Sequence, residues 1–421
     1  MFKEYKLLEK ILRTIEGFIP DWLYKLGQPV YHWLLAWAGA VIYRFPSHGM
    51  KVIGVTGTKG KSTTTYLITK ILEAAGEPVA AIGSLGYKIR EKEWSNTLKM
   101  TMPGRMRVQQ FLRQAKDAGC KYVVLEVTSE GIKQKRHLGI KFDCAVLTTI
   151  HREHIENHGT YEKYIQAKEK LFKVAKHAHI INNDDPVAER FKKLPADKII
   201  LYGARDWERL ELATELPADF NKYNILAAAS VAENYHIAPA VIRQAIAEIK
   251  AVPGRMEFIN TGQSFAVVVD YAHTPDSLAL VYDYLKHQLK RGGRLIAVLG
   301  AAGGGRDKWK RPEFGKIAAH YCDEIILTNE DPYDESPEAI LDQVEEGIAN
   351  ASRSTLQVSR ILDRQAAIKK ALTDAQMGDI VVVTGKGSEV TMALAGGQKI
   401  PWSDKEVILK ILEEKTDGDS Q

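Results

Sequence analysis

A glycine-rich turn that carries a lysine and a serine lies near the beginning of the chain, in the segment 54–63 with the sequence GVTGTKGKST. It follows an apolar run and precedes a segment whose apolar residues recur at helical spacing. Backbone N–H groups of such a turn, together with the positive end of the next helix, bind phosphate oxygens. Lys61 can reach the β and γ phosphates, and the Ser62 hydroxyl can bind Mg²⁺. The common pattern has a glycine at the position of Val55, but the junction still predicts a nucleoside triphosphate site.

A second candidate for the chemistry is Glu126, which ends the apolar run 122–126. This run has the composition of a buried strand. Because ligands bind at the carboxyl ends of parallel strands, the Glu126 carboxylate could hold a Mg²⁺ that bridges the nucleotide phosphates.

Three histidines at helical spacing follow further along the chain: His151, His154 and His158. A zinc site is disfavoured because no cysteine or second pair of histidines completes it, whereas a single histidine can serve a hard metal beside carboxylates. Lys168 lies in the helical segment 164–172, and its spacing alone is typical of an ordinary solvated lysine.

The elements that must position these residues alternate between strands and helices from residue 51 onward. The predicted buried parallel strands are 122–126, 144–148, 199–202, 266–270, 295–300, 324–328 and 380–384. Strands that alternate with helices indicate an α/β fold with mostly parallel sheets. A helix over 238–249 is followed by the sequence AVPG at 251–254, which cannot continue it, so a boundary between two α/β domains is predicted there.

The first fifty residues have a different pattern. An apolar stripe, with lysines and an arginine around it, consists of Leu8, Ile11, Leu12, Ile15 and Ile19. The run 33–43 is apolar throughout, but its 11 residues are fewer than the about 20 that a membrane span needs. Two interpretations stay open: two helices that pack on the central domain, or a surface anchor with tryptophans at the level of lipid headgroups.

Composition excludes several classes of protein. A chain of 421 residues with 45% hydrophobic residues can form two or three domains with real cores. The net charge of +5 is spread along the sequence without a dense basic run, which argues against nucleic acid as a partner. The three cysteines are far apart and there is no secretory signal, so we expect a cytoplasmic protein in a reducing compartment.

Taken together, the motifs resemble the Mur ligase family, and most closely its MurE type, from about residue 51 to the C-terminus. The motifs occur in the order of that family: 56–62 (TGTKGKS), 126–129 (EVTS), His154, 167–172 (AKEKLF), 220–224 (FNKYN), 252–257 (VPGRME), 270–275 (DYAHTP), 306–312 (RDKWKRP) and 385–389 (GKGSE). Their number and order make coincidence negligible at the level of the family.

The resemblance implies an ATP-dependent acid–amino acid ligase that works through an acyl phosphate in peptidoglycan precursor synthesis. It implies a short helical segment at 1–50, a P-loop central domain with a mostly parallel sheet at 51–250, and a Rossmann-like C-terminal α/β domain at 251–421. The implied cofactors are ATP and two Mg²⁺ ions. The implied partners are a muramyl-peptide acceptor and an amino acid, with a monomeric protein that closes at its hinge when ATP and acceptor bind.

The resemblance also assigns residues to ATP and metal. The phosphate loop would be Gly57, Thr58, Lys59, Gly60, Lys61, Ser62 and Thr63. Asn224 would face adenine, Asp270 the ribose hydroxyls, and Arg255 the nucleotide from the C-terminal domain. Ser62 would bind one Mg²⁺, and the second would be held by Glu126, His154 and Lys168, which is carbamylated in this family.

The two other substrates have implied residues as well. Thr101, Ser129 and Arg136 would contact the acyl acceptor. Arg306 would bind the α-carboxylate of the amino acid through a bidentate pair. The remaining implied contacts to the amino acid are Asp331, Tyr333, Gly385 and Glu389.

The sequence departs from the MurE pattern in three ways. Only about fifty residues precede the phosphate loop where that type has a uridine-binding domain, so the carrier of the acceptor is expected to be a weakly contacted nucleotide or a lipid. The Asp-Asn-Pro-Arg signature for diaminopimelate is replaced by the sequence EDPY at 330–333, which removes a charged partner and disfavours diaminopimelate. Glu130 and Ser388 occupy positions that usually hold histidines.

Three alternatives remain. A ligase of the folylpolyglutamate or cyanophycin type shares the phosphate loop and the mechanism, but the motifs at 270–275 and 385–389 favour the muropeptide branch. A ligase subunit for lipid-linked precursors would explain the short N-terminus, but the cysteine cluster of that group is absent from the sequence. A nucleotide switch that forms no bond would have no use for an amino-acid pocket.

Overall fold

The computed structural model describes residues 21–151, 158–305, 307–349 and 355–418. The chain divides into two compact units, Met1–Lys250 and Ala251–Gln421. In each unit helices accompany a mostly parallel sheet, so the predicted α/β fold class is confirmed. The N-terminal stripe from Leu8 to Ile19, the ligand candidate His154 and the candidate Arg306 lie outside the described residues.

In the described part of the first unit, eight strands form one sheet in the order β4-β3-β2-β5-β1-β6-β7-β8. Pairing is parallel from β2 to β8, whereas β2, β3 and β4 form an antiparallel meander. The strands are β1 (Lys51–Thr56), β2 (Val79–Gly83), β3 (Gly86–Ile89), β4 (Lys92–Trp94), β5 (Tyr122–Glu126), β6 (Phe142–Leu147), β7 (Ala178–Asn182) and β8 (Lys198–Tyr202).

Helices pack around this sheet. They are α1 (Asp21–Ile42), α2 (Lys61–Ala74), α3 (Arg105–Asp117), α4 (Ser129–Lys133), α5 (Tyr161–Val174), α6 (Ala188–Lys192), α7 (Asp206–Arg209), α8 (Phe220–Asn234) and α9 (Pro239–Glu248). The central strand β1 lies between β5 and β6, and Val52, Ile53 and Val55 are fully buried. Strands covered by helices on both faces read as continuous apolar runs, which is why the pattern predicted them.

One predicted strand is less buried than expected. The run 199–202 forms β8, but β8 lies at the edge of the sheet, where Ile199 and Leu201 are 41% and 43% exposed. Apolar composition cannot tell an edge strand from a central one, because the order of strands depends on contacts between distant segments.

The apolar run 33–43 lies within α1, which begins earlier than the run, at Asp21. No helix among the described residues is long and apolar enough to cross a membrane. Ala36 and Ala40 of α1 are buried against the unit, whereas Trp33, Leu34 and Trp37 are exposed. Helix α1 therefore packs with one face and exposes another, and the surface-anchor interpretation stays a prediction.

The described part of the second unit contains a six-stranded sheet in the order β13-β12-β11-β14-β10-β9. Only β9 is antiparallel to its neighbour, and a separate antiparallel pair, β15-β16, follows. The strands are β9 (Glu257–Ile259), β10 (Ala266–Asp270), β11 (Leu295–Leu299), β12 (Glu324–Leu327), β13 (Gln357–Arg360), β14 (Ile380–Thr384), β15 (Thr391–Ala393) and β16 (Lys399–Pro401). The helices are α10 (Pro275–Gln288), α11 (Lys310–Tyr321), α12 (Pro337–Ala349), α13 (Arg364–Asp374) and α14 (Asp404–Gly418).

Candidate functional site

The phosphate loop connects β1 to the N-terminus of α2, as the sequence predicted. Gly60 has a φ of 82°, a left-handed conformation that favours glycine, and a β-carbon on it would overlap the Asn224 side chain. A β-carbon on Gly57 would overlap Thr148. The loop is held by backbone contacts, since Thr58 N donates to Thr149 O over 2.5 Å and Thr148 Oγ1 donates to Lys59 O over 2.6 Å. The loop is thus fixed by its surroundings in the shape of a cradle.

The polar side chains of the loop meet at the start of α2. Lys61 Nζ donates to Thr58 O over 2.8 Å, so its ammonium folds back over the loop. Ser62 Oγ donates to Glu126 Oε1 over 3.1 Å, and Thr63 is buried behind them in the first turn. The lysine and serine of the motif therefore lie at the positive end of a helix, where an anion is stabilised.

Glu126 connects the loop to a second group of polar residues. Ser84 N donates to Glu126 Oε2 over 2.9 Å, and Ser84 Oγ lies 2.8 Å from Thr101 Oγ1. Two oxygen groups that can bind a metal, the Ser62 hydroxyl and the Glu126 carboxylate, come together at the end of the sheet. Oxygen ligands of this kind suit Mg²⁺. The structure thereby brings the predicted metal ligands Ser62 and Glu126 next to the predicted acceptor contact Thr101.

Lys168 does not have the solvated environment that its spacing alone indicates. Its side chain on α5 is 1% exposed, and Nζ donates to Gly57 O over 2.7 Å. Nζ also lies 4.6 Å from the centre of the Tyr164 ring, and the Tyr164 hydroxyl is 2.7 Å from Thr58 Oγ1. Hydrophobic neighbours on both sides of α5 turn this lysine inward, against the phosphate loop. Lys168 thus lies against the phosphate loop, and its role as a carbamylated metal ligand stays a prediction.

Two of the predicted acceptor residues, Ser129 and Arg136, lie on and just after α4. Ser129 is buried in its first turn, and Thr128 caps the helix by accepting from Gly131 N. The Arg136 guanidinium donates to Met102 O and to Gln134 Oε1, and burial lowers its pKa. Thr101 and Arg136 therefore converge on the segment around Met102, on the same side of the first unit.

Asn224 lies on α8 and contacts the phosphate loop. Its Oδ1 accepts from Thr64 Oγ1 over 3.4 Å, and its Nδ2 donates to Asn221 Oδ1 over 3.1 Å. The assignment of Asn224 to adenine stays a prediction.

The second unit contains the other nucleotide candidates. The guanidinium carbon of Arg255 lies 4.1 Å from the centre of the Tyr271 ring. Asp270 accepts from Met256 N over 2.6 Å and from Ala272 N over 2.7 Å, so its carboxylate orders the turn that carries Arg255. Their contacts to a nucleotide stay predictions.

The candidate amino-acid pocket is built around Lys386, which is fully buried. Lys386 Nζ donates to Asp331 Oδ1 over 3.0 Å, to Glu389 Oε2 over 2.7 Å and to Thr391 O over 2.7 Å. The Tyr271 hydroxyl also donates to Glu389, over 3.3 Å. One ammonium thus holds two of the predicted contacts, Asp331 and Glu389, in place.

Glu330 adds a third carboxylate to this pocket. A β-carbon on Gly385, whose φ is 103°, would overlap the Glu330 carboxylate. Burial, and next the charge of Asp331, raise the pKa of Glu330 to about 7. Tyr333 has a φ of 51°, and its ring would lie 3.2 Å from a β-carbon on Gly304, two residues before Arg306. The described part of the pocket is therefore acidic, with an aromatic wall.

Sequence reasoning missed four residues of these sites. Tyr164 supports Thr58 and Lys168, Ser84 bridges Glu126 and Thr101, Lys386 joins the carboxylates, and Glu330 packs against Gly385. Ser84 directly follows β2, and the carboxyl end of a parallel strand is the signal that could have revealed it. Lys386 lies inside the motif at 385–389, just after the predicted apolar strand 380–384. A lysine so close to the end of a buried strand is the signal that could have revealed it.

Comparison with known proteins bears on both units. Residues 55–208 match the Mur ligase middle domain, and residues 254–387 match the Mur ligase, glutamate ligase domain. A UDP-N-acetylmuramoyl-L-alanyl-D-glutamate--2,6-diaminopimelate ligase of Caldanaerobacter subterraneus is 34% identical over 395 residues, which cover 88% of this chain and 80% of the relative. The relative of the same name in Aquifex aeolicus is 36% identical over 389 residues, with coverage of 87% and 78%.

Solved structures similar to this chain include a ligase of the same name as these relatives. A structure of a 2,6-diaminopimelate ligase of the same name is 29% identical, has a TM-score of 0.59, and covers 88% of this chain and 80% of its own. The E. coli protein FolC in complex with DHPP and ADP has a TM-score of 0.63 at 18% identity, with coverage of 83% and 89%, which is a likeness of fold alone. The predicted resemblance is confirmed: the chain belongs to the Mur ligase family of ATP-dependent ligases.

Proposed function

We propose that this protein joins the carboxylate of a muramyl-peptide acceptor to the amine of an amino acid, converting ATP to ADP and phosphate, in peptidoglycan precursor synthesis. The observation that carries the proposal is the hydrogen-bonded series from Ser62 through Glu126 and Ser84 to Thr101. It joins the phosphate loop to a residue of the proposed acceptor site. Phosphoryl transfer requires such proximity of the two substrates.

The proposed reaction has two steps, because a carboxylate is too poor an electrophile to acylate an amine in water. An oxygen of the acceptor carboxylate attacks the terminal phosphorus of ATP, and ADP leaves. The amine of the amino acid then attacks the acyl carbon and loses a proton, and inorganic phosphate leaves as the amide bond forms. Positioning and electrostatic stabilisation of the phosphate oxygens supply most of the catalysis in reactions of this kind.

Residues of the first unit fit the phosphate side of this reaction. Lys61 and the backbone from Gly57 to Thr63 would bind the phosphates of ATP. Bound Mg²⁺ would neutralise phosphate charge, and the neighbouring oxygens of Ser62 and Glu126 are suitable ligands for it. We propose Ser62 as the ligand of one ion and assign a second ion to Glu126, His154 and carbamylated Lys168.

The rest of the nucleotide and the acceptor are assigned to further residues. Asn224 is assigned to adenine, Asp270 to the ribose and Arg255 to the nucleotide. The acceptor is assigned to Thr101, Ser129 and Arg136. Their polar groups are ordered by hydrogen bonds in the described structure, which supports a binding role because ordered groups lose little freedom when a ligand binds.

The amino acid would be bound by Arg306, Asp331, Tyr333, Gly385 and Glu389. The relatives compared above are diaminopimelate ligases by name, but two features favour a different amino acid here. Tyr333 offers a hydroxyl in place of the arginine charge of the diaminopimelate signature. Asp331 and Glu389 share the single ammonium of Lys386. The partly ionised Glu330 lies beside them, so a further carboxylate would meet like charge and lose affinity. We propose that the added amino acid has no second carboxylate.

We place this activity in the cytoplasm, carried out by a monomer. The proposal includes peripheral contact between residues 1–50 and the inner face of the membrane. The exposed apolar residues of α1 support that contact.

The proposed function is tested by release of ADP and phosphate from ATP with a panel of substrates. The amino acids are lysine, ornithine, diaminopimelate and glutamate, each offered with a UDP-linked muramyl dipeptide and with the free muramyl dipeptide. We expect phosphate release that depends on both an acceptor and an amino acid, with lysine or ornithine preferred over diaminopimelate. A folate acceptor is included as a control.

Other outcomes would contradict the proposal. Phosphate release only with the folate acceptor and glutamate, and with neither muramyl acceptor, would assign the chain to the folylpolyglutamate branch. ATP hydrolysis that needs neither an acceptor nor an amino acid would indicate a nucleotide switch. Turnover with diaminopimelate as the best amino acid would leave the ligase assignment standing and overturn the argument from Tyr333 and Glu330.

A further inference from the structure

Helix α1 packs on the first unit through its small residues. Ala36 and Ala40 are buried, and a β-carbon on Gly39 would lie 3.1 Å from Met106 Sδ and 3.3 Å from Gln109 Cγ of α3. On the loop that faces α1, a β-carbon on Gly139 would come within 2.6 Å of Ala40 Cβ. The helix therefore lies close against α3, and its inner face has no room for large side chains.

Five large apolar side chains of α1, from Val30 to Val41, are exposed. They form a continuous row at helical spacing, called here the α1 stripe: Val30 (60% exposed), Trp33 (49%), Leu34 (55%), Trp37 (38%) and Val41 (60%). An ordinary surface helix turns such a row toward the core. Adjacent exposed apolar residues in an ordered helix mark a surface that contacts something else.

The composition of the α1 stripe favours a lipid surface as its occupant. The rings of Trp33 and Trp37 lie 6.3 Å apart, and tryptophan combines an apolar ring with a polar N–H that suits the boundary between headgroups and acyl chains. Specific protein interfaces use about 20–30 residues a side, far more than the five of the stripe. A second copy of the chain would therefore find too small a contact here.

The neighbouring helix α3 carries a net positive charge. Helix α3, on which α1 packs, carries four cationic residues and one acidic residue: Arg105, Arg107, Arg113, Lys116 and Asp117. Cations beside an apolar face add attraction to anionic lipid headgroups. The sequence that precedes α1 adds little net charge, since residues 1–20 contain four cationic and three acidic side chains.

The α1 stripe also lies near the proposed acceptor site. His32, which precedes Trp33, interacts electrostatically with Arg136, Arg105 and Glu130. Burial, reinforced by these two arginines, lowers the pKa of His32 to about 4, so this side chain is neutral at physiological pH. One helix thus carries a neutral histidine within electrostatic reach of Arg136 and an exposed apolar row.

We propose that the α1 stripe docks the first unit on the surface of an anionic lipid bilayer. Docking places the side of the unit that holds Arg136 near the headgroups. Docking assigns the membrane contact of the proposed function to the α1 stripe and does not depend on the ligase activity. An acceptor carried on a lipid would then reach the acceptor site from the membrane, a consequence that rests on the proposed function.

The test is co-sedimentation of the full chain with vesicles of phosphatidylglycerol and phosphatidylcholine, and with vesicles of phosphatidylcholine alone. The variant Trp33→Gln/Leu34→Gln removes two residues of the stripe and keeps good helix formers. The matched control is Leu280→Gln/Met377→Gln, at positions that are 54% and 83% exposed in the second unit. We expect the wild type and the control to bind anionic vesicles. The affinity of the stripe variant for these vesicles should be lower by about tenfold or more.

Ligation of an acceptor free in solution is measured with all three proteins, which shows that each is folded. Vesicle binding without ligation would support docking and contradict the proposed ligase activity. Ligation without vesicle binding would support the ligase activity and contradict docking. Equal binding by the wild type and the stripe variant would overturn the inference. So would sedimentation equilibrium that finds a wild-type dimer and a monomeric stripe variant, because a second copy would then cover the stripe.

Discussion

The two candidate sites, one in each unit, are built on different physical principles. The phosphate loop of the first unit is shaped by hydrogen bonds that its backbone makes with backbone and side-chain groups, and by close packing at Gly57 and Gly60. The amino-acid pocket of the second unit is held by charges, with Lys386 between Asp331 and Glu389 and with Glu330 beside them. A ligand common to all ATP-dependent ligases can be bound by backbone geometry, whereas the choice of an amino acid depends on side-chain charge. Substitutions in the pocket can therefore change specificity without changing the phosphate loop.

The largest effect on activity is expected from a substitution of Lys61 in the phosphate loop. Lys61→Ala leaves the backbone loop intact but removes the ammonium that would stabilise the transferring phosphoryl group, so we expect kcat/KM to fall by about 10³-fold or more. ADP release with acceptor and amino acid present is the measurement. Lys70→Ala on the same helix is the control, because this lysine pairs with Glu73 at the surface. Peptide-bond formation at an ordinary rate by Lys61→Ala would remove the proposed mechanism.

A charge-built pocket should be sensitive to loss of its central cation. Lys386→Met leaves Asp331 and Glu389 without their buried partner, so we expect the free energy of unfolding of the second unit to fall by about 3–5 kcal/mol. Urea unfolding followed by fluorescence is the measurement. Lys316→Met, which breaks an exposed pair with Glu313, should cost about 0.5 kcal/mol or less. Similar losses for the two variants would contradict the role given to Lys386.

The pH dependence of stability sharpens the contrast between the sites. Because the pKa of Glu330 is raised from 4.5 to about 7, the unfolded chain releases this proton at lower pH than the folded chain does. Glu330 therefore destabilises the fold increasingly as pH rises from 4.5 to about 7, and contributes nothing below 4.5. Glu330→Gln stays neutral, so its stability relative to the wild type should increase over this range, by about 3 kcal/mol at most.

Urea unfolding of the two proteins at several pH values measures this difference. Glu406→Gln, at an exposed position on α14, is the matched control and should follow the wild type. A constant difference between Glu330→Gln and the wild type over the whole range would mean that Glu330 does not titrate there.

Much of the first unit could be predicted from the sequence because its signals are local. The turn at 54–63 and the apolar strands carry their structure in neighbouring residues, and the structure has them where the patterns indicated. Contacts between distant segments could not be predicted in this way. Ser84 reaches Glu126 only because β2 pairs with β5, and Lys168 is buried because α5 turns it toward Gly57.

The second unit shows the same limit in its charges. The motif at 385–389 predicted Gly385 and Glu389, but the partnership of Lys386 with Asp331 depends on how two distant loops meet. The sequence left both packing and a surface anchor open for the apolar run of α1, and a run that is apolar throughout does not say which side of a helix faces the core.

The edge position of β8 has a practical consequence. Ile199 and Leu201 lie side by side on an exposed face of a strand whose described backbone pairs only with β7. Open strand edges of this kind promote pairing between molecules, and concentrated protein could form particles large enough to pellet without lipid. Centrifugation of the protein alone, and a charged substitution such as Leu201→Lys to discourage edge-to-edge assembly, would keep such particles from being mistaken for vesicle-bound protein.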